Sequence, residues 1–320
     1  MGSIYDKNGT ELHVAYQRNG TAINTAYKKD GTVAWDSNQH LVSDTFISTL
    51  LFDIPELGSG SQGIACDSLS QSIAQLYTTN IYTINLSDGS YVKRNSSTFN
   101  LVHGHTGQFA PEKNNLADLY PPLYVSAGGM QTVGNQTYQR LLEVFVREST
   151  CILNRVFLVP VPADKGAGYG RSAIDFENGI LYQVYGEKYE PAAGEVYEYT
   201  YIRAFDMTAT RENTEATGFN PANGFYEFTG MLDEFTVPYI EQLQSTSFFD
   251  GLIACLSDVE GVVFIEPTTH SVYLTIRNGI VPFEREGIGF ILNPETGETD
   301  MILSARQQTF NVYYRYQFIL

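Results

Sequence analysis

"GIACDSLSQSIAQLYTTNIYTINLSDGSYVKRNSS" occupies residues 63–97. Four short runs rich in apolar, β-branched and aromatic residues follow one another here: GIACDS, SIAQLYT, IYTINLSDG and YVKRNSS. Only polar or Asp-Gly punctuation separates them, and no apolar residues recur at the three- and four-residue spacing of an amphipathic helix. The stretch reads as one small four-stranded antiparallel sheet.

The same grammar recurs along the chain. GQFAPE, PLYVSAG, LLEVFVRES and CILNRVFLV form a second set. SAIDFE, ILYQVYG and YTYIRAFDM open a third, followed by the less regular GFYEFTGMLDEFTVPYIEQ. TSFFDG, LIACLSD, VVFIEP and VYLTI form a fourth, and GIGFIL, DMILSA and FNVYYRYQFIL a fifth. Sets of four strands at roughly 40–70-residue intervals are the pattern of propeller blades; a sandwich needs fewer strands, and an α/β barrel needs helices between them. The predicted fold is all-β: a five-bladed β-propeller preceded by a short N-terminal β-repeat module. The fifth set has only three clear strands, whereas TFISTLLFDI (Thr45–Ile54) is a lone strand ahead of the first set. That strand is predicted to join the last blade and close the ring. The tripeptide Ile-Ala-Cys occurs at 64–66 and 253–255, on an innermost strand and on a second strand respectively, so it is read as coincidence.

Composition agrees. The 320 residues are 43% hydrophobic with 22 Tyr and 19 Phe, a balance that favours strands around a real core. A formal net charge of −17 repels phosphate backbones, so no nucleic acid partner is expected. Cys66, Cys151 and Cys255 are widely spaced in apolar runs and read as buried small hydrophobes, not as metal ligands or a disulfide framework. No segment reads as a signal peptide or reaches membrane-spanning length, which predicts synthesis in a cytoplasm and no membrane insertion.

Residues 1–36 carry a different pattern. YDKNGT, YQRNGT and YKKDGT begin at Tyr5, Tyr16 and Tyr27, an eleven-residue period. Asn8-Gly9, Asn19-Gly20 and Asp30-Gly31 are strong signals for two-residue hairpin turns, because such turns need positive φ twice. Alternation places Thr10, Leu12, Val14 and Tyr16 on one face, and Thr21, Ile23, Thr25 and Tyr27 on one face of the next strand. The prediction is a meander of nine-residue strands and two-residue turns. A meander of this size buries too little to stand alone. Residues 1–36 are therefore read as an attachment module, with Tyr5, Tyr16, Tyr27 and Trp35 as its contact residues, and residues 37–320 as the propeller domain.

Polar residues stand just before each proposed innermost strand: Gln62, then His103 and His105, Arg171, Gln244 and Glu286. Inner strands run side by side about the axis, so these positions are predicted to ring the channel mouth, with Arg171 and Glu286 as its opposite permanent charges. Polar residues at such a mouth also serve simply to bond one another and trapped water.

The segments QGIACD…SIAQLYT…IYTINLSDG, HGHTGQFAPE, PYIEQLQSTSFFDG and EREGIGF resemble the teichoic-acid-biosynthesis-protein-C-like (TagC-like) five-bladed propellers of phage tail and receptor-binding proteins. The likeness runs from Thr45 to Leu320. Glu284-Arg285-Glu286-Gly287 stands where that family usually has Glu-Pro-Glu-Gly, and Gly128–Thr137 reads as an insert. The eleven-residue repeat is similar to N-terminal segments of gut-phage tail proteins. These resemblances imply a structural protein of a bacteriophage virion, made in the host cytoplasm. It would be oligomeric in its assembly, joined to other virion proteins through the repeats, and would bind a bacterial surface carbohydrate for host attachment.

Catalytic signals are sparse, and the reading leans towards a binding protein rather than an enzyme. Propellers also carry glycosidases, whose chemistry needs two facing carboxylates. Of Asp67, Glu112, Asp175, Glu177 and Glu286, only Glu286 sits at a channel-mouth position. His103 and His105 share a strand face but do not by themselves make a metal site. No cofactor is called for; a structural Ca2+ held by channel carbonyls or carboxylates is compatible with the sequence. Gly166–Gly170 lacks the strand–helix context of a phosphate loop.

Overall fold

The computed structural model describes residues 4–5, 11–12, 25–27, 33–36, 46–54, 62–95, 99–101, 106–115, 118–162, 170–185, 198–276, 284–307 and 310–318. Every regular element among them is a strand. The first four are short: β1 (Ile4–Tyr5), β2 (Glu11–Leu12), β3 (Thr25–Tyr27) and β4 (Val33–Asp36). β5 (Phe46–Ile54) follows, and then the first blade, β6 (Ile64–Asp67), β7 (Ser72–Leu76), β8 (Asn80–Asn85) and β9 (Tyr91–Asn95). The second blade is β10 (Thr106–Phe109), β11 (Leu123–Val133), β12 (Gln136–Val146) and β13 (Cys151–Pro160). The third begins with β14 (Gly170–Asp175), β15 (Ile180–Tyr185) and β16 (Tyr199–Asp206). Two insert strands, β17 (Thr210–Glu212) and β18 (Phe225–Phe228), precede its fourth strand, β19 (Met231–Pro238). The fourth blade is β20 (Leu243–Phe249), β21 (Leu252–Ser257), β22 (Gly261–Glu266) and β23 (Ser271–Ile276). The chain ends in β24 (Glu284–Leu292), β25 (Thr299–Gln307) and β26 (Phe310–Phe318).

These strands build a β-propeller. The first strands of the five large sheets meet in the cyclic order β6, β10, β14, β20, β24 and back to β6. Five apolar clusters fill the five seams, each drawing on two consecutive sheets. The fifth sheet has the order β24-β25-β26-β5, with Phe46 opposite Phe318 and Ile54 opposite Asn311. The lone strand ahead of the first blade thus closes the ring, as its isolation in the sequence predicts.

The inner strands use small residues because they crowd at the axis. A Cβ on Gly287 would lie 2.6 Å from the Ile64 backbone nitrogen, so no larger residue fits between the fifth and first blades there. Across the axis, the Thr246 N–H donates to Thr106 Oγ1 at 3.2 Å, so two blades that are not neighbours touch and the channel is pinched. Cys151 and Cys255 are buried and Cys66 partly so, and none forms a disulfide, as expected.

The less regular GFYEFTGMLDEFTVPYIEQ divides between two sheets: β19 completes the third blade, while β18 leaves it and adds parallel to β13, with β17 outside it. The outer edge of β13 offers free backbone groups, and Phe228 fills the gap between Phe157 and Phe205, at ring-centroid distances of 5.6 and 5.8 Å. Gly128–Thr137 is the far end of the β11–β12 hairpin, carrying a bulge between Ala127 and Met130.

The N-terminal strands are not a simple meander. Their order is β2-β1-β3-β4, with Tyr5 paired to Tyr27, two repeats away. β1 pairs with β2 and β3 with β4, and the two pairs join through β1 and β3; Asn8-Gly9 and Asp30-Gly31 lie outside the described residues. The strands are correspondingly two to four residues long instead of nine. Tyr16 and Asn19-Gly20 lie outside the described residues. Among those described, β1–β4 pair only with one another.

Removing residues 1–54 is expected to strip the fifth blade of its outer strand and to lower and broaden the thermal transition. Removing residues 1–36 should leave one cooperative transition. Differential scanning calorimetry of the two truncations checks both. Gly287→Ala should cost about 1–3 kcal/mol by overpacking the seam, read by denaturant titration.

Candidate functional site at the channel mouth

The inner strands start on one rim of the ring, and antiparallel alternation brings the β21–β22 turn to that same rim. Two of the inner strands carry a β-bulge there. In β20 the register slips between Leu243 and Ser245, leaving Gln244 as the extra residue; in β24 it slips between Arg285 and Gly287, leaving Glu286. A bulge turns a side chain out of the alternating pattern, and bulges are over-represented beside functional sites.

These residues are held by two sets of contacts. Arg171, at the start of β14, donates from Nε to the Gln244 carbonyl oxygen at 2.9 Å. Gln244 Nε2 donates to Asp258 Oδ2 at 2.5 Å. Asp258 Oδ1 in turn accepts from the Arg285 backbone N–H at 2.8 Å. Arg285 Nη1 also donates to the Ser257 and Asp258 carbonyls at 2.7 and 2.6 Å. Arg306 on β25 pairs with Glu284 and brings Nη1 to 3.7 Å from Glu286 Oε1.

Glu286 is the unusual member. It is 6% exposed, yet no hydrogen bond reaches its carboxyl group among the described residues. The other described buried acids are all satisfied. Asp67 and Asp175 cap their own turns, Glu143 accepts from Tyr124 and Asn154, and Asp300 from Asn293. Burial, reinforced by repulsion from Glu284 and opposed by Arg306, pushes the Glu286 carboxyl up to about 8. Burial likewise raises Asp258 and lowers Arg285. A strongly perturbed buried acid marks a functional candidate.

The structure therefore links Arg171 to Gln244, sets Glu286 beside Arg306 and Glu284, and places Gln62 at the start of β6, beside the Gly287 contact with Ile64. His103 and His105 lie outside the described residues. The expected opposition of Arg171 and Glu286 is corrected: the cation beside Glu286 is Arg306, and Glu286 holds its proton at neutral pH because its charge would be desolvated. Asp258, Arg285, Glu284 and Arg306 were missed because none directly precedes an apolar inner strand. Only the position of Arg285 within the EREG segment hinted at it. Asp67 and Asp175 serve as turn acids, and no cluster of three or more metal-ligating side chains occurs among the described residues.

No protein-family model matches this chain, and no curated protein matches it in sequence. Among solved structures, it is similar to the glutaminyl cyclase of Myxococcus xanthus at 12% identity and a TM-score of 0.45, covering 86% of this chain and 98% of that one. It is similar to a structure described as a putative oxidoreductase (glucose dehydrogenase) of Thermus thermophilus at 12% identity, TM-score 0.44, covering 85% and 100%. It is also similar to the WD40 domain of Neurospora crassa Pan2 at 10% identity, TM-score 0.40, covering 86% and 97%. At these levels the similarities say nothing of ligand or reaction.

A raised carboxyl has a definite linkage sign. Between its ordinary value near 4.5 and its folded value near 8, Glu286 holds a proton that the unfolded chain has released. Its contribution to stability is complete below that window and is lost as pH rises through it. Glu286→Gln removes this dependence. The variant should gain in melting temperature relative to the parent between about pH 5 and about pH 9, checked by thermal melts across that range.

Proposed function

We propose that this protein is a structural component of a bacteriophage virion, a tail or baseplate propeller that binds the bacterial surface and is held in the particle through residues 1–36. The observation that carries this reading is the two-part build. β5 completes the propeller without any help from β1–β4, which pair only among themselves among the described residues. A ring that is already closed leaves the repeat sheet available to join another chain. The resemblance of the propeller to TagC-like tail proteins, and of the repeat to gut-phage tail segments, points the same way. The carboxyl of Glu286, with Glu284 and Asp258 bearing on it, favours one second reading, a carbohydrate-active enzyme with Glu286 as its general acid.

The test compares the full chain with residues 37–320 alone. Both should bind intact Gram-positive or gut bacterial cells, and only the full chain should enter phage particles. Absence of cell binding by either protein, or normal incorporation without residues 1–36, overturns the proposal. Release of reducing ends from cell-surface polysaccharide by the parent but not by Glu286→Gln establishes the enzymatic reading instead.

A further inference from the structure

We infer that the mouth formed by Gln244, Asp258, Arg285, Glu286 and Arg306 is a binding site for an uncharged, hydroxyl-rich ligand, a sugar ring, which Glu286 engages as a hydrogen-bond donor. This rests on the surface-binding reading and supplies its ligand class. The first observation is a carboxyl that has Arg306 Nη1 at 3.7 Å but no hydrogen bond among the described residues. Glu286 is more than nine-tenths buried, sits on a bulge that redirects it, and makes no hydrogen bond among the described residues. A buried polar group without a hydrogen bond costs stability. It persists where a ligand completes it. The second is Gln244, on the neighbouring bulge, which commits its amide nitrogen to Asp258 and leaves Oε1 without a partner among the described residues. Glu286 offers a donor and an acceptor and Gln244 an acceptor, a set that matches adjacent hydroxyl groups.

The same geometry argues against an anion. Each guanidinium group already holds a bond or ion pair: Arg171 through Nε on the Gln244 carbonyl, Arg285 through Nη1 on the Ser257 and Asp258 carbonyls, and Arg306 between Glu284 and Glu286. A net charge of −17 also opposes the approach of negative ligands. The charged groups facing Glu286 are Glu284 on its own strand, Arg306 on β25 and Asp258 in the β21–β22 turn, with Arg285 adjacent in sequence. Once ionised, Glu286 loses its donor, and Arg306 is drawn onto it, so binding falls in alkaline solution.

The experiment applies the full chain, with Glu286→Gln, Glu286→Ala and Gln244→Ala variants, to an array of defined neutral and acidic glycans. Thermal melts confirm that each variant is folded, and Gln244→Ala serves if Glu286→Ala is not. Neutral glycans should bind. Glu286→Ala or Gln244→Ala should weaken binding about tenfold, the size of one lost hydrogen bond. Glu286→Gln, whose amide still donates, should bind near the parent's strength at about pH 6 and keep binding at about pH 10, where the parent weakens about tenfold. Binding confined to acidic glycans, no neutral glycan bound, or indifference to both alanine substitutions overturns the inference. Cell binding that survives Glu286→Ala sinks this site while leaving the surface-binding reading intact; a parent chain that binds no cells sinks that reading, whatever the array shows.

Discussion

The pairing of β5 with β26 is the constraint on which the rest of the molecule depends. A ring of sheets has a seam wherever the chain's first and last blades meet, and an open seam exposes two strand edges and the faces behind them. Here a strand from before the first blade supplies the outer edge of the last, so separating the two blades requires breaking a backbone ladder as well as an apolar cluster. The other four seams are joined by chain connectivity and filled by apolar clusters of their own.

Closure at five sheets sets the crowding at the axis, and the crowding creates the site. Inner strands approach closely enough that Gly287 leaves no room for a Cβ and Thr106 bonds to Thr246 across the centre. Larger polar residues cannot be held within the channel and gather where the strands begin. The bulges at Gln244 and Glu286 release the register there, so Gln244 meets Asp258 in the β21–β22 turn and Glu286 meets Arg306 on β25. The outcome is a polar rim in which Gln244 and Asp258 join Arg171 to Arg285, while the Glu286 carboxyl has Arg306 at 3.7 Å and no hydrogen bond among the described residues. The other buried acids among the described residues all accept hydrogen bonds, which is why Glu286 carries information.

The β17–β18 excursion shows how a blade edge is managed. The second blade would present β13 as a bare edge, but β18 covers part of it. Tyr138 and Arg211 both bond to Glu227, and Arg140 lies over Phe219 at 4.4 Å. The excursion departs from one blade and docks on another, so it ties the second and third blades together beyond their shared seam. The turn residue His270 does the same for the third and fourth, stacking on Phe235 at 4.4 Å and bonding Asp233 at 2.7 Å.

Residues 63–97, and the sets like them, determined the strand content, the number of sheets and the closing role of Thr45–Ile54. All of these follow from local alternation and from counting strands, which a linear sequence carries directly. Arg171, Gln244 and Glu286 were also readable as mouth residues, because position before an inner strand is a local property. Only the tertiary structure decided that Arg306, not Arg171, is the cation beside Glu286, that Asp258 joins Gln244 to Arg285, and that Phe225–Phe228 belongs to another blade. The physical reason is that each of these depends on a bulge, a turn or an edge meeting residues far away in sequence. A one-residue slip in register reverses which face a side chain takes, and nothing in the local alternation marks where that slip falls.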